Sequence, residues 1–367
     1  MSFVYKPPTE WIPPDSFPTE KLCQATEIAI DLETRDPSLK ELGPGYIRGD
    51  GEVVGISFAI DGYEDYFPFA HEQGFNFSKK KVIEFTKKIC ATDSDKIFHN
   101  SSYDVGWLTR EGVPINGRII DTMVVAPLID ENQYWYSLNA LGREYINEGK
   151  TEGELNAAAE EWGLDPKAEM WRLPSAYVGT YATQDAALTL KLWNHFKILL
   201  EEQNLWNVFD LEMRVLPVIL AMKQKGVRVD TDKAQSLKKQ LIKREKDIVQ
   251  QIKDESGVPE LQLWAANSLA KVFDAMNLTY LRTPTGMPSF TKAFLENHSH
   301  PIANLIREAR EVNKTHSTFI DSILKHAHNG RIHAEIRQLK GESGGTVTGR
   351  LSMSNPNLQQ VPARNKE

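Results

Sequence analysis

The stretch that most restricts how this chain can fold is EIAIDLET, residues 27–34. β-favouring side chains alternate along it, so it reads as a strand, and Asp31 and Glu33 leave the same face. Two neighbouring carboxylates on a strand rich in Ala, Ile and Leu repel each other and sit badly among apolar neighbours. Either they face solvent at a strand end, the usual reading of an isolated Asp-x-Glu, or a cation lies beside them. GEVVGISFAI and EDYFPFA are two further strands, joined by a turn at Asp61-Gly62. KKKVIEFTKKIC has apolar residues at helical spacing and reads as an amphipathic helix. KIFHN predicts a short strand, SSYDVGWLTREG a short helix ending at Gly112, and IIDTMVVAPLI continues the alternation. Residues 151–205 are helical in pattern, with a break at Leu173-Pro174. This order predicts a mixed α/β sheet with helices around it.

Two more acids fall on the predicted helices. Asn100 and Asp104 are four apart after the KIF strand, and Tyr181 and Asp185 repeat that spacing in TYATQDAALTLKLW. Positions i and i+4 share a helix face, so each pair can aim a carboxylate and a hydrogen-bonding partner at one point. Taken singly, Tyr181 is a packing tyrosine, and Asp104 or Asp185 a cap or surface acid. Together, a strand DxE, then NxxxD, then YxxxD, in this order, resembles the DEDD 3′–5′ exonuclease superfamily in its tyrosine subtype. The resemblance implies an RNase H-like (DnaQ-like) exonuclease fold and hydrolysis of phosphodiesters with two Mg²⁺ or Mn²⁺ ions. It further implies that Asp31 bridges both metals and Glu33 ligates one. Asp185 would ligate the metal holding the attacking water, and Asp104 would act on the second through water. Tyr181 would orient the nucleophilic water, and Asn100 would position substrate or Asp104.

Length and charge point to two regions with different tasks. At 367 residues the chain exceeds a usual single domain. Its net charge of −7 divides unevenly: residues 1–205 carry 19 Lys+Arg against 33 Asp+Glu, and residues 206–367 carry 24 against 17. A basic half can hold a polyanion by neutralising phosphates. No apolar run approaches a membrane span, and the N-terminus MSFVYKPPTEWIPPDSFP lacks a signal pattern. Cys23 and Cys90 offer no disulfide framework, so a reducing, cytoplasmic setting is expected (the host's, if the source is viral). In the basic half, DLEMRVLPVILAMKQKG predicts a helix that Pro217 can kink and Gly226 stops. Asp230 or Thr231 caps the next helix, to about Ser256, and another is expected around 302–328. The last stretch is rich in Gly, Ser, Asn and Pro, with short β segments.

This half carries a second resemblance. MKQKGVRVDTDKAQSLKKQL, WAANSLAKVFDAMNL with LRTPTGMPSFTKAFLE, and REAREVNKTHSTFIDSIL resemble the thumb of family A (DNA polymerase I-like) DNA polymerases. GRIHAEIRQLKGESGGTVTGRLSMSNPNLQQVP resembles the opening β segment of the palm. The domains expected are a 3′–5′ exonuclease at 1–205, a mainly helical thumb at 206–330 and an incomplete beginning of the palm at 331–367. Arg310 and Lys314 in the thumb, and Arg350, Asn357 and Gln359 in the palm segment, become candidate DNA contacts. Lys238, Lys239, Lys243 and Arg244 read equally well as a solvated helix face. The palm aspartates and fingers helix of the family have no counterpart here, and PARNKE falls inside a signature segment. The expected partners are therefore DNA, as a single-stranded 3′ end and as primer–template, and a C-terminal polymerase chain of a phage-type split polymerase that supplies palm and fingers; the other explanation is that these residues are a fragment whose longer parent carries palm and fingers itself. An exoribonuclease and a non-catalytic, DNA-binding assembly subunit are the alternatives. The palm-like ending argues against the first, and the complete set of acids with Tyr181 against the second.

Overall fold

The computed structural model describes residues 9–341 and 344–361, so the PARNKE segment lies outside the described residues. The chain forms two compact units. Among the described residues, the first comprises 9–226, 333–341 and 344–359, and the second 227–332 with 360–361.

The first unit is built on a five-stranded sheet in the order β3-β2-β1-β4-β5. The first helix, α1 (Thr19–Gln24), leads into β1 (Glu27–Arg35), and a short α2 (Leu39–Leu42) precedes β2 (Glu52–Ile60). A tight turn at Asp61-Gly62, with Gly62 at φ +70°, joins β2 to β3 (Tyr63–Pro68), as the sequence predicts. Then follow α3 (Lys79–Cys90), β4 (Asp95–Phe98), α4 (Ser101–Arg110), β5 (Ile119–Asp121) and α5 (Thr122–Ile129). Strand β1 pairs antiparallel with β2 and parallel with β4, which makes the sheet mixed. Along β1, Ile28, Ile30 and Leu32 are buried while Asp31 and Glu33 are half-buried on the opposite face. A β-bulge falls between Glu33 and Thr34.

The helices α6 (Leu138–Ile146) and α7 (Gly153–Trp162) precede the long α8 (Ser175–Glu202). Leu173 is extended, at ψ 150°, as the residue before a proline should be, and α8 begins just past Pro174. Helix α8 lies across β1 to β4 and buries Ala182, Ala186 and Trp193. Helix α9 (Trp206–Lys225) buries Phe209, Met213, Leu216 and Leu220 in the same core as the sheet. Its amphipathic pattern is that of the predicted helix, and it stays one helix through Pro217 to Gly226.

The second unit is mainly helical. A short β6 (Val227–Arg228) precedes α10 (Thr231–Ser256), whose Asp230 cap accepts from the Lys233 amide. After α11 (Ala266–Ala275) the LRTPTGMPSF segment makes a small hairpin of β7 (Leu281–Arg282) and β8 (Pro288–Ser289). Next come α12 (Lys292–Asn297), α13 (Pro301–Lys314) and α14 (Asp321–His326). A π-helical turn at Thr315–Ile320 interrupts what the sequence predicts as one regular helix. Leu241, Ile252, Phe273, Ile302 and Ile306 are among the buried residues of its core. Strands β9 (Ala327–His328) and β10 (Arg331–Ile332) close a small sheet with β6.

The chain then returns to the first unit as β11 (Glu335–Arg337) and β12 (Ser352–Ser354), an antiparallel pair. Gln338 Nε2 donates to the Glu212 carbonyl at 3.0 Å, and Lys340 Nζ to the Gln133 carbonyl at 2.8 Å. Lys223, only 2% exposed, donates from Nζ to Ser102 Oγ and to Glu335 Oε2, the latter at 2.7 Å. Among the described residues no helix is long and apolar enough to cross a membrane.

Candidate active site

Carboxylate oxygens of Asp31, Glu33 and Asp185 lie within 4.8 Å of one another. Strand β1 supplies the first two because its period of two puts them on the sheet face that α8 covers. Register places Asp31 opposite Ser57 and Glu33 opposite Gly55. A Cβ on Gly55 would run into the Tyr66 ring, so the glycine leaves room for that tyrosine beneath the acids. Helix α8 supplies Asp185, which is 3% exposed, and Tyr181 one turn before it. Burial pushes the Asp31 carboxyl up to about 7, with Asp185 adding repulsion and Lys150 opposing it. Burial also raises Glu33 well above the ordinary glutamate range, reinforced by Asp31 and Asp185. Three acids held this close resist ionising together unless cations join them.

Asp104, 4% exposed, is not among the three acids whose oxygens converge, but its carboxyl is close enough to be repelled by Asp31. Its Oδ1 accepts the Leu32 amide at 3.2 Å, which ties α4 to β1 between the two strand acids. Burial and then Asp31 push its carboxyl well up.

Asn100 departs from the expectation that it shares a helical face with Asp104. It precedes α4 as the cap residue, at φ +69° in the left-handed region that asparagine tolerates. A fifth acid, Asp121, explains this. Its Oδ1 accepts the amides of Asn100 and Met123 at 3.0 and 2.9 Å, and its Oδ2 accepts the Ser101 amide and hydroxyl at 2.7 and 2.8 Å. Asp121 thus fastens the start of α4 to the end of β5. Asn100 itself is exposed and lines a cavity of about 450 Å³ with Tyr103, Met123 and Leu216, a cavity that none of the three clustered acids lines.

Sequence reasoning missed Lys150. Its Nζ donates to Tyr181 Oη at 3.1 Å and pairs with Asp185 Oδ2. Burial works to lower the Lys150 pKa, but Asp185, Asp31 and Glu33 together outweigh it and raise it. Lys150 is the single basic residue between Arg143 and Lys167, in a stretch otherwise acidic, which is the one signal the sequence holds. The other Asp185 oxygen, Oδ1, is buried with no hydrogen-bond partner among the described residues. Tyr181, buried with it, has its hydroxyl pKa raised by burial and then by Asp185, Glu33 and Asp31. Behind the acids, the Tyr66 hydroxyl meets His71 Nε2 at 2.8 Å, and burial lowers the His71 pKa to about 4.

The candidate contacts of the basic half have varied surroundings. Arg310 is turned inward: its guanidinium donates to the Leu263 carbonyl at 3.1 and 3.2 Å and to the Phe290 carbonyl at 2.8 Å, and it stacks on Trp264. Lys314 is exposed and lies over the Phe319 ring. Arg350 is exposed, Asn357 Oδ1 accepts the Gln359 amide at 3.1 Å, and Gln359 Nε2 donates to the Leu351 carbonyl. Lys238 pairs with Asp321 at 2.5 Å and Arg244 with Glu308 at 2.8 Å.

Comparison with known proteins agrees with this geometry. A family profile described as 3′-5′ exonuclease matches residues 18–201, and one described as DNA polymerase family A matches residues 231–367. The DNA-directed DNA polymerase of Pseudomonas phage M6 is 34% identical, over 100% of this chain and 58% of its own length. DNA polymerase DpoZ of Acinetobacter phage SH-Ab 15497 is 32% identical, over 94% of this chain and 57% of its own length. The chain thus spans a little over half the length of these relatives. The POL domain of Pol1 from M. smegmatis, solved in complex with DNA primer-template and dNTP, shares the fold. Its TM-score is 0.71 at 18% identity, covering 95% of this chain and 54% of that one. The chain belongs to the family A DNA polymerases and carries their 3′–5′ exonuclease domain.

Proposed function

We propose that the first unit hydrolyses DNA 3′ ends, releasing nucleoside monophosphates, as the proofreading part of a family A polymerase. The observation that carries this reading is the trio Asp31, Glu33 and Asp185, within 4.8 Å, with Asp185 Oδ1 buried and unpartnered. An all-oxygen donor set with an orphaned carboxylate oxygen fits Mg²⁺ or Mn²⁺. Asp31, Glu33 and Asp185 would hold two such ions, with Asp104 acting through water. Those ions, when bound, lower the pKa of a water and neutralise charge gathering on the phosphate. The chain's own groups do the rest. Tyr181 keeps its proton at neutral pH, because burial and three acids raise its pKa, so it holds the attacking water by a hydrogen bond. Asp104 keeps the β1 backbone in register with α4, so the strand acids stay aimed at one point.

The second unit and the β11–β12 segment are, on this reading, thumb and early palm. Lys314, Arg350, Asn357 and Gln359 contact DNA, and Asn100 touches the single strand near its 3′ end. Arg310 instead holds two loops of the thumb together through its three carbonyl bonds. The chain spans 58% of the length of the Pseudomonas phage M6 polymerase.

The test is release of mononucleotides from a 3′-labelled DNA strand and from the matching RNA, with Mg²⁺ and with Mn²⁺. DNA hydrolysis that disappears in the Asp31→Ala, Glu33→Ala double variant is the expected result. No hydrolysis of DNA under either metal would end the proposal, and a preference for RNA would return the exoribonuclease alternative.

A further inference from the structure

Lys150 is not a surface lysine that happens to reach an acid. Its side chain is 16% exposed, and the loop that bears it is fastened on both sides. The Lys150 amide donates to Asn139 Oδ1 at 2.9 Å. Gln184, next to Asp185 on α8, takes the Thr151 amide on Oε1 and donates from Nε2 to the Gly149 carbonyl at 3.1 Å. A Cβ on Gly149 would press on Arg143 and Asn139, so the loop packs as closely as glycine allows. These bonds hold the ammonium 4.9 Å from the Tyr181 ring centre, with its hydrogens directed at Tyr181 Oη and Asp185 Oδ2.

We propose that Lys150 is a positioning residue that acts as the resident cation of the exonuclease site, sharing Asp185 with the divalent metal and fixing the Tyr181 hydroxyl. The inference rests on the two-metal reading above. Asp185 is divided by its two oxygens: Oδ2 belongs to Lys150, and the unpartnered Oδ1 is left for metal. By donating to Tyr181 Oη, Lys150 occupies one lone pair and leaves the phenol hydrogen to be donated, to the Asp185 carboxylate or to the attacking water. Two opposite consequences follow from one side chain. Its charge makes the acidic cluster less attractive to a second cation, so losing it tightens metal binding. Its hydrogen bond orients Tyr181, so losing it slows hydrolysis.

The experiment is calorimetric titration with Mn²⁺ alone at mildly alkaline pH, on the wild-type chain, Lys150→Met and Lys150→Arg, beside hydrolysis rates on a 3′-labelled DNA strand. Lys150→Met should bind Mn²⁺ about tenfold tighter, as removing a unit charge a few ångströms away requires. Its kcat should fall about a hundredfold with KM little changed. Lys150→Arg keeps the charge and should keep wild-type Mn²⁺ affinity while recovering only part of the rate. Lys150→Met with wild-type or weaker Mn²⁺ affinity would overturn the proposal, and so would Lys150→Arg binding as tightly as Lys150→Met. If Lys150→Met fails to fold, Lys150→Gln replaces it as the charge-free variant, with the same expected and overturning outcomes. A wild-type chain that binds no Mn²⁺ would overturn the two-metal reading as well, which separates the two failures.

Discussion

Two of the lysines withdrawn from water in the first unit, Lys223 and Lys150, have surroundings that differ in one respect that matters. Lys223, at the meeting of α4, α9 and β11, faces one carboxylate, Glu335, and one hydroxyl, Ser102. Lys150 faces three carboxylates and leaves one oxygen, Asp185 Oδ1, without a partner. The first region is balanced and reads as a structural joint, holding the β11 segment against α4 and α9 of the same unit. The second carries a surplus of negative charge that the protein alone does not neutralise. Buried ion pairs are weak evidence for function, whereas a surplus among converging acids is stronger evidence.

The comparison breaks most sharply at the strand acids. Asp31→Ala with Glu33→Ala should lower hydrolysis of a labelled DNA 3′ end by about 10⁴-fold or more. The same variant should melt higher than wild type in EDTA, because the repulsion is gone; a lower melting point would mean the acids are structurally balanced after all. At the joint the signs reverse. Lys223→Met should destabilise the chain by about 3 kcal/mol in denaturant titrations, since it leaves Glu335 without its cation.

Metal and pH sharpen the surplus. The Asp31 carboxyl sits at about 7 instead of 3.8, so between those values the folded chain keeps a proton that the unfolded chain gives up. Stability of the metal-free protein therefore falls as pH rises through that window, and the loss is complete above it. Excess Mg²⁺ should add about 3 kcal/mol near pH 8 and much less near pH 5, read as melting shifts against EDTA. An Mg²⁺ effect of equal size at both would refute the surplus. The smallest effect separates two neighbours on α13. Arg310→Ala should cost about 2 kcal/mol by freeing the Leu263 and Phe290 carbonyls. Lys314→Ala should change stability by less than about 0.5 kcal/mol yet weaken duplex binding measurably at low salt.

How much of this could be read beforehand depended on the range of the contact. Asp31, Glu33, Tyr181 and Asp185 were legible because strand and helix periods alone decide which face they share. Asn100 was not: helix α4 starts one residue after it, and the reason is an acid twenty-one positions downstream, Asp121. Lys150 was hidden for a similar cause, since Asn139 and Gln184 hold its loop from two different helices. The α9 pattern announced a buried stripe but not its partner, and the helix joined the sheet core. For Arg310 the helical spacing from Lys314 was plain, while the carbonyls that receive its guanidinium belong to loops no periodicity describes.

Asp121 has a consequence for anyone sorting the acids of related chains by importance. All four of its contacts are donors pointing at it, so an asparagine of the same shape would turn an N–H₂ toward amides that can only give. The position will therefore tolerate replacement poorly for a structural reason, because its carboxylate fastens the start of α4 to the end of β5. On the proposed reading, a mutational screen scored only by lost activity would count five catalytic acids; scored also by melting temperature, it would return four and one structural fastener.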